Sequence, residues 1–80
     1  MSENIRWEIK RLLEELCLTQ AEVCRRIERV YGYKVQTSGF SSAMHGLDTP
    51  KTRRMLTDAL SVLTEERMRQ KSLLDTAKRV

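Results

Sequence analysis

Cations crowd the middle of this 80-residue chain, and they are the residues whose chemistry stands out first. Between Arg25 and Arg54 seven basic residues face two acidic ones, a net charge of +5, whereas the whole chain carries +4. Residues 1–24 have 3 basic and 5 acidic residues, net −2, and residues 55–80 have 5 and 4, net +1. Positive charge concentrated in one third of a sequence suits a polyanion partner such as nucleic acid; the plainer alternative is a solvated basic face with no ligand. Catalysis has much less to work with. His45 is the only histidine, and the scattered carboxylates form no nucleophile, base and acid set, so no enzyme is expected. A structural zinc site needs four ligands, which argues against a metal, and no cofactor is expected. Cys17 and Cys24 lie seven apart, too far to bond along one continuous helix, and are read as two small buried thiols.

The elements that must position those cations read as helices. Ile5, Ile9, Leu12, Leu13 and Leu16 recur at spacings of three and four across residues 4–16, the period of an amphipathic helix. Trp7 falls off that stripe, as either a satellite packing residue or a contact for a partner. A second helix starts at Thr19, where Thr19 and Glu22 have the spacing of a capping box. Ala21, Val23, Cys24, Ile27, Val30 and Tyr31 give it a buried face, with Arg25, Arg26 and Arg29 opposite as a solvated face, and Gly32 is its natural stop. Residues 33–36 form a connector, and a short third helix over residues 37–45 ends at Gly46. The weak alternation over residues 31–35 is interrupted by glycine and does not amount to a strand.

In "LDTPKTRR", Asp48 or Thr49 can cap a fourth helix with Pro50 at its first position, and Met55, Leu56, Ala59, Leu60 and Leu63 continue its apolar stripe. Thr64, followed by two glutamates, reads as a further cap, which predicts a fifth helix over residues 65–77 carrying Met68, Leu73 and Leu74. The expected class is therefore all-α with four to five helices in one compact domain over residues 1–63, and residues 64–80 as a C-terminal helix. Composition agrees: 40% hydrophobic and 32% charged residues, with one proline and three glycines, describe an ordinary globular chain with a small core. No apolar run approaches the roughly 20 residues that cross a bilayer, and "MSENIRWEIK" has no signal-peptide core, so a cytoplasmic location is expected.

Three stretches then carry a resemblance. "LTQAEVCRRI", "TSGFSSAMHG" and "TPKTRRMLTDALSVL" together resemble the Cro/CI (XRE-type) lambda-repressor-like helix-turn-helix domain over roughly residues 5–63. That pattern is Thr-Gln followed by a small residue, a recognition helix with a central apolar anchor, a closing glycine, and a helix after a loop with proline. Here Ala21 and Cys24 supply the small crossing residues and Phe40 the anchor. The family places four residues between the small residue and the turn glycine, whereas Cys24 to Gly32 spans eight. Four residues are about one helical turn, so the second helix can lengthen and return to nearly the same face. The POU-specific domain is similar in this respect, and its Tyr-Gly after a long second helix matches "ERVYG".

The resemblance implies a DNA-binding transcriptional regulator of phage or bacterial repressor type, in which the second helix braces and the helix over residues 37–45 enters the major groove. Position by position it implies that Thr37, Ser38 and Ser42 face base edges, with Gln36 just ahead of them. Gln20, Lys34, Ser41, Lys51, Arg53 and Arg54 would contact phosphates, helped by helix amino-terminal amides. It also implies a homodimer on a palindromic site, because one such domain covers little DNA, and residues 64–80 are the candidate dimer element. The third helix departs from the pattern. Its side chains are almost all small, Gly39 lies inside it at a cost of about 1 kcal/mol relative to alanine, and Met44 replaces a frequent glutamate. Serine and threonine discriminate bases less than a bidentate arginine or glutamine, which shifts specificity toward Gln36, Lys34 or DNA shape. The competing reading keeps this scaffold as a protein-interaction adaptor or anti-repressor, with Trp7 or the C-terminal helix as the contact.

Overall fold

Helix α1 is Ser2–Leu16, and it turns the stripe read from the sequence inward: Ile9, Leu12 and Leu16 are buried, with Ile5 and Leu13 packed at the edge. In the computed structural model the backbone is described for residues 2–78 and the side chains for residues 4–73. The end of α1 is set by a residue that normally avoids the task. Cys17 takes a left-handed conformation, φ 55°, while its amide donates to Glu14 O and the Leu18 amide donates to Leu13 O at 3.0 Å. These are the two hydrogen bonds of a Schellman motif, in which glycine usually holds the left-handed position. Leu13 and Leu18, both packed against the core, supply the apolar contact that accompanies it. Cys17 is therefore exposed, contrary to the expectation of two buried thiols; only Cys24 is buried, and both are free.

Helix α2, Gln20–Tyr31, opens on the expected capping box. The Glu22 amide donates to Thr19 Oγ1 at 3.3 Å, and the Thr19 amide donates to Glu22 Oε2 at 3.0 Å. Gly32 ends it at φ 76°, its amide donating to Glu28 O. Val23, Cys24 and Ile27 are buried. Val30 and Tyr31 are not: they are 57% and 42% exposed, because the apolar period runs one turn past the point where neighbouring helices cover it. Helix α3, Thr37–Met44, is held by Phe40 and Ala43, both fully buried. A second Schellman arrangement closes it, with Gly46 at φ 120° and Leu47 N donating to Ser42 O. Arg6 of α1 adds a donor there, its Nε reaching Ala43 O at 2.7 Å.

Helix α4, Pro50–Lys78, is the common partner of the other three. It starts with Pro50 as expected, and the cap is Thr49: the Thr52 amide donates to Thr49 Oγ1 and the Thr49 amide donates to Thr52 Oγ1. Met55, Leu56, Ala59, Val62 and Leu63 complete the core with α1, α2 and α3. The expected break at Thr64 does not occur, and the fourth and fifth helices are one. No glycine or proline lies between Pro50 and Lys78, and two ion pairs tie the helix just past the junction to α2 and α1. Glu66 accepts from Arg26 of α2 at 2.7 Å, and Arg67 reaches Glu15 of α1 at 3.2 Å. Twenty-nine residues span about 43 Å at 1.5 Å per residue, close to the 47 Å long axis of the molecule. Beyond Leu63 none of the described side chains is buried, and Met68 and Leu73 are 68% and 65% exposed. Leu74 and residues 79–80 of the expected dimer element lie outside the described side chains. Among the described residues there is no strand, and no helix is long and apolar enough to cross a membrane.

Candidate nucleic-acid interface

The stretched middle of the chain doubles back on itself. After Gly32 the connector returns to α2, where Glu28 Oε1 accepts from the Val35 amide at 3.0 Å. Burial pushes the Cys24 thiol up, and the Thr37 hydrogen bond partly opposes that rise. Tyr33 fixes the other side of the connector. Its hydroxyl donates to Asp58 Oδ2 at 2.5 Å, and the Arg54 guanidinium lies over its ring, 5.1 Å from the centroid. The next residue, Lys34, is exposed.

Around α3, Gln36, Thr37, Ser38 and Ser42 are exposed and Ser41 is half-buried, while Phe40 is buried; Lys34 in the connector and Lys51, Arg53 and Arg54 in the first turns of α4 are exposed as well. Gln36 occupies the N-cap of α3 with no side-chain cap bond, which leaves the first amides of the helix free for another acceptor. Gln20 is half-buried in the first turn of α2.

Their hydrogen-bonding capacity is unequal. Ser42 Oγ donates to Ser38 O at 3.1 Å, within its own helix, and Ser41 lies 3.5 Å from the His45 ring. His45 Nδ1 in turn contacts Ser41 O at 2.7 Å, which fits the helix-end role of His45. Among the described residues, Gln20, Lys34, Gln36, Ser38 and Lys51 keep side chains without a partner.

The two arginines already have partners that sequence reasoning missed. Arg53 Nε donates to Asp48 Oδ1 at 2.6 Å and Nη2 to Oδ2 at 3.2 Å. That pairing holds the Asp48 carboxyl below its usual value and raises the Arg53 guanidinium. Arg54 lies 3.9 Å from Asp58. Burial, reinforced by the hydrogen bond to Asp58, pushes the Tyr33 hydroxyl well above the ordinary tyrosine range. The Arg54 to Asp58 spacing of four was a visible signal on a helix. Asp48 to Arg53 was less so, because it bridges the helix start. Gly39 is not required by its neighbour: a β-carbon there would meet only Met55 Cε, at 4.0 Å.

The residues in and around α3 offer free helix amides, two unneutralised lysines and two carboxylate-tethered arginines. Together they suit contact with an extended anion. Neither protein-family models, nor curated proteins, nor solved structures match the chain.

Proposed function

We propose that this protein is a sequence-specific DNA-binding transcriptional regulator of the phage or bacterial repressor type. In this reading α2 and α3 act as the two helices of a helix-turn-helix. The observation that carries it is α3: an eight-residue helix pinned from behind by Phe40 and Ala43, exposing Gln36, Thr37, Ser38 and Ser42, with the exposed, unpaired cations Lys34 before it and Lys51 after it in the chain. A helix anchored on one side and free on the other has the geometry needed to enter a major groove, about 12 Å wide. The lysines and the uncapped α3 amides would hold backbone phosphates on either side.

With so few bidentate side chains on α3, base reading falls to Gln36 and Ser38, the unpartnered hydrogen-bonding groups nearest its amino terminus, supplemented by DNA shape. Dimerisation would use the part of α4 beyond Leu63, where Met68 and Leu73 stand exposed, and would place two α3 helices on a palindromic site about one turn apart. Selection of bound duplexes from a random pool, followed by mobility shift at low salt, tests the reading. A palindromic consensus is the expected result, and no binding at 50 mM salt refutes it.

A second reading has its own observation. Trp7 is 71% exposed, with only Lys10 stacked near it at 5.7 Å, which suits an adaptor that docks another protein. A stoichiometric protein partner lost with Trp7→Ala, in a chain that binds no DNA, would favour it.

A further inference from the structure

Away from α3, the outer side of α2 faces the far half of α4 across an open depression of about 360 Å3, lined by Glu22, Arg25, Arg26, Arg29, Glu66 and Arg69. Four guanidinium groups meet two carboxylates there, and both carboxylates are committed. Glu22 closes the α2 capping box. A single oxygen of Glu66, Oε2, takes both Arg26 at 2.7 Å and Arg69 at 3.4 Å, and its side chain is only 13% exposed. Glu66 therefore holds two forks in place. Arg25 and Arg29 are left without a carboxylate among the described residues, although they sit four apart on one helix face, where like charges repel. Arg69 also meets Glu65 at 3.7 Å, so the excess cations that no carboxylate meets are Arg25 and Arg29, in a hollow at the small end of the range that takes drug-sized ligands.

The geometry points to a binding site for a small phosphate monoester, a dianion clamped between α2 and α4 by Arg25 and Arg29 with Arg69 opposite. Arginine forks match phosphate oxygens in pairs, and Arg69, already ordered by Glu66, loses less freedom on binding. A dianion would neutralise the excess and relieve the Arg25 to Arg29 repulsion. Because it would bridge α2 to the part of α4 beyond Leu63, it would also stiffen that projecting segment. The site does not depend on the DNA-binding reading.

Thermal unfolding of the full chain, followed by circular dichroism at constant ionic strength, tests it with inorganic phosphate, adenosine 5′-monophosphate and dimethyl phosphate, each against sodium chloride. The two dianions should raise Tm with the logarithm of their concentration, by about 5–10 °C at ten times Kd. Dimethyl phosphate, a monoanionic diester, should not, and the rise should fade below about pH 6, where the monoester takes up its second proton. Arg25→Ala with Arg29→Ala should abolish the rise, Arg29→Lys should weaken it, and Lys34→Ala with Lys51→Ala should leave it intact. Both replaced arginines are exposed and unpartnered, so the variant should fold with an unchanged spectrum in chloride. The proposal is overturned if phosphate does no more than chloride, or if the Arg25 and Arg29 variant keeps the rise. It is equally overturned if that variant instead lowers duplex affinity as much as the Lys34 and Lys51 variant, which would make the hollow part of a DNA surface.

Discussion

On the proposed DNA-binding function, replacing Asp48 by asparagine should make DNA binding tighter and more dependent on salt. Asp48 occupies both forks of Arg53, at 2.6 and 3.2 Å, so a phosphate must compete with a carboxylate that is already in place and fully ionised near neutral pH. Asparagine keeps the shape but removes the charge, freeing one cation per protomer. Each phosphate neutralised contributes about −0.9 to the slope of log K against log salt. Asp48→Asn should therefore steepen the slope by about 0.9 per protomer, or about 1.8 for a dimer. Between 50 and 200 mM salt that corresponds to a change of about 3.5-fold per protomer in the affinity ratio of variant to parent, and about 12-fold for a dimer. Lys51→Ala, which removes an unneutralised cation, should make the slope shallower by the same step. Fluorescence anisotropy of a labelled duplex across this range, on protein whose melting temperature is checked, reads both. The cap of α4 rests on Thr49 and Thr52 rather than on Asp48, so the fold should be unaffected. A correctly folded Asp48→Asn protein with the parent's slope would refute the idea that Asp48 restrains Arg53.

Three further outcomes follow from the local structure. Cys17→Gly should raise stability by about 0.5–1 kcal/mol in urea denaturation, because glycine takes the left-handed position without the β-carbon clash; a loss would mean that the cysteine side chain contributes something the strain conceals. Tyr33→Phe should cost about 1 kcal/mol at neutral pH by deleting the bond to Asp58. The hydroxyl is raised in the fold, so its contribution is present below the unfolded value near 10 and disappears as pH climbs above it; the parent should lose stability over that window and Tyr33→Phe should not, as compared by denaturant midpoints at pH 8 and 11. Gly39→Ala should gain about 0.5–1 kcal/mol with DNA affinity unchanged, since its β-carbon would lie toward Met55 in ordinary contact; a drop in Tm would show that α3 needs the glycine for its own packing.

What could be read from the sequence was whatever a few adjacent residues decide. The Thr19 and Glu22 box, the Gly32 stop, Pro50 at the start of α4 and the Phe40 anchor each depend on one turn of chain, and each stands where the local pattern puts it. Three expectations failed because a distant element decided them. Cys17 has no glycine signal, yet it ends α1, since the Leu13 and Leu18 contact with the core outweighs the backbone cost. Val30 and Tyr31 continue the α2 stripe but stay 57% and 42% exposed, Tyr31 meeting only the Tyr33 ring among the described aromatic side chains. "LTEER" has the composition of a helix start and also of a helix interior, and nothing within those five residues separates the two.

That last ambiguity has the largest consequence for function. Had the helix ended at Leu63, Glu66 and Arg69 would have begun a separate element with its own direction, and the three arginines of α2 would have faced solvent alone, as the sequence suggested. Because α4 continues, Glu66 is carried to within 2.7 Å of Arg26 and Arg69 closes the far wall of the hollow. The same continuity leaves Met68 and Leu73 exposed on α4 beyond the core instead of folding them back onto it. The phosphate hollow and the exposed apolar residues are thus two products of one uninterrupted helix. A proline placed at Thr64 should disturb both while leaving the α3 face, which depends on Phe40, Glu28 and Tyr33, in position.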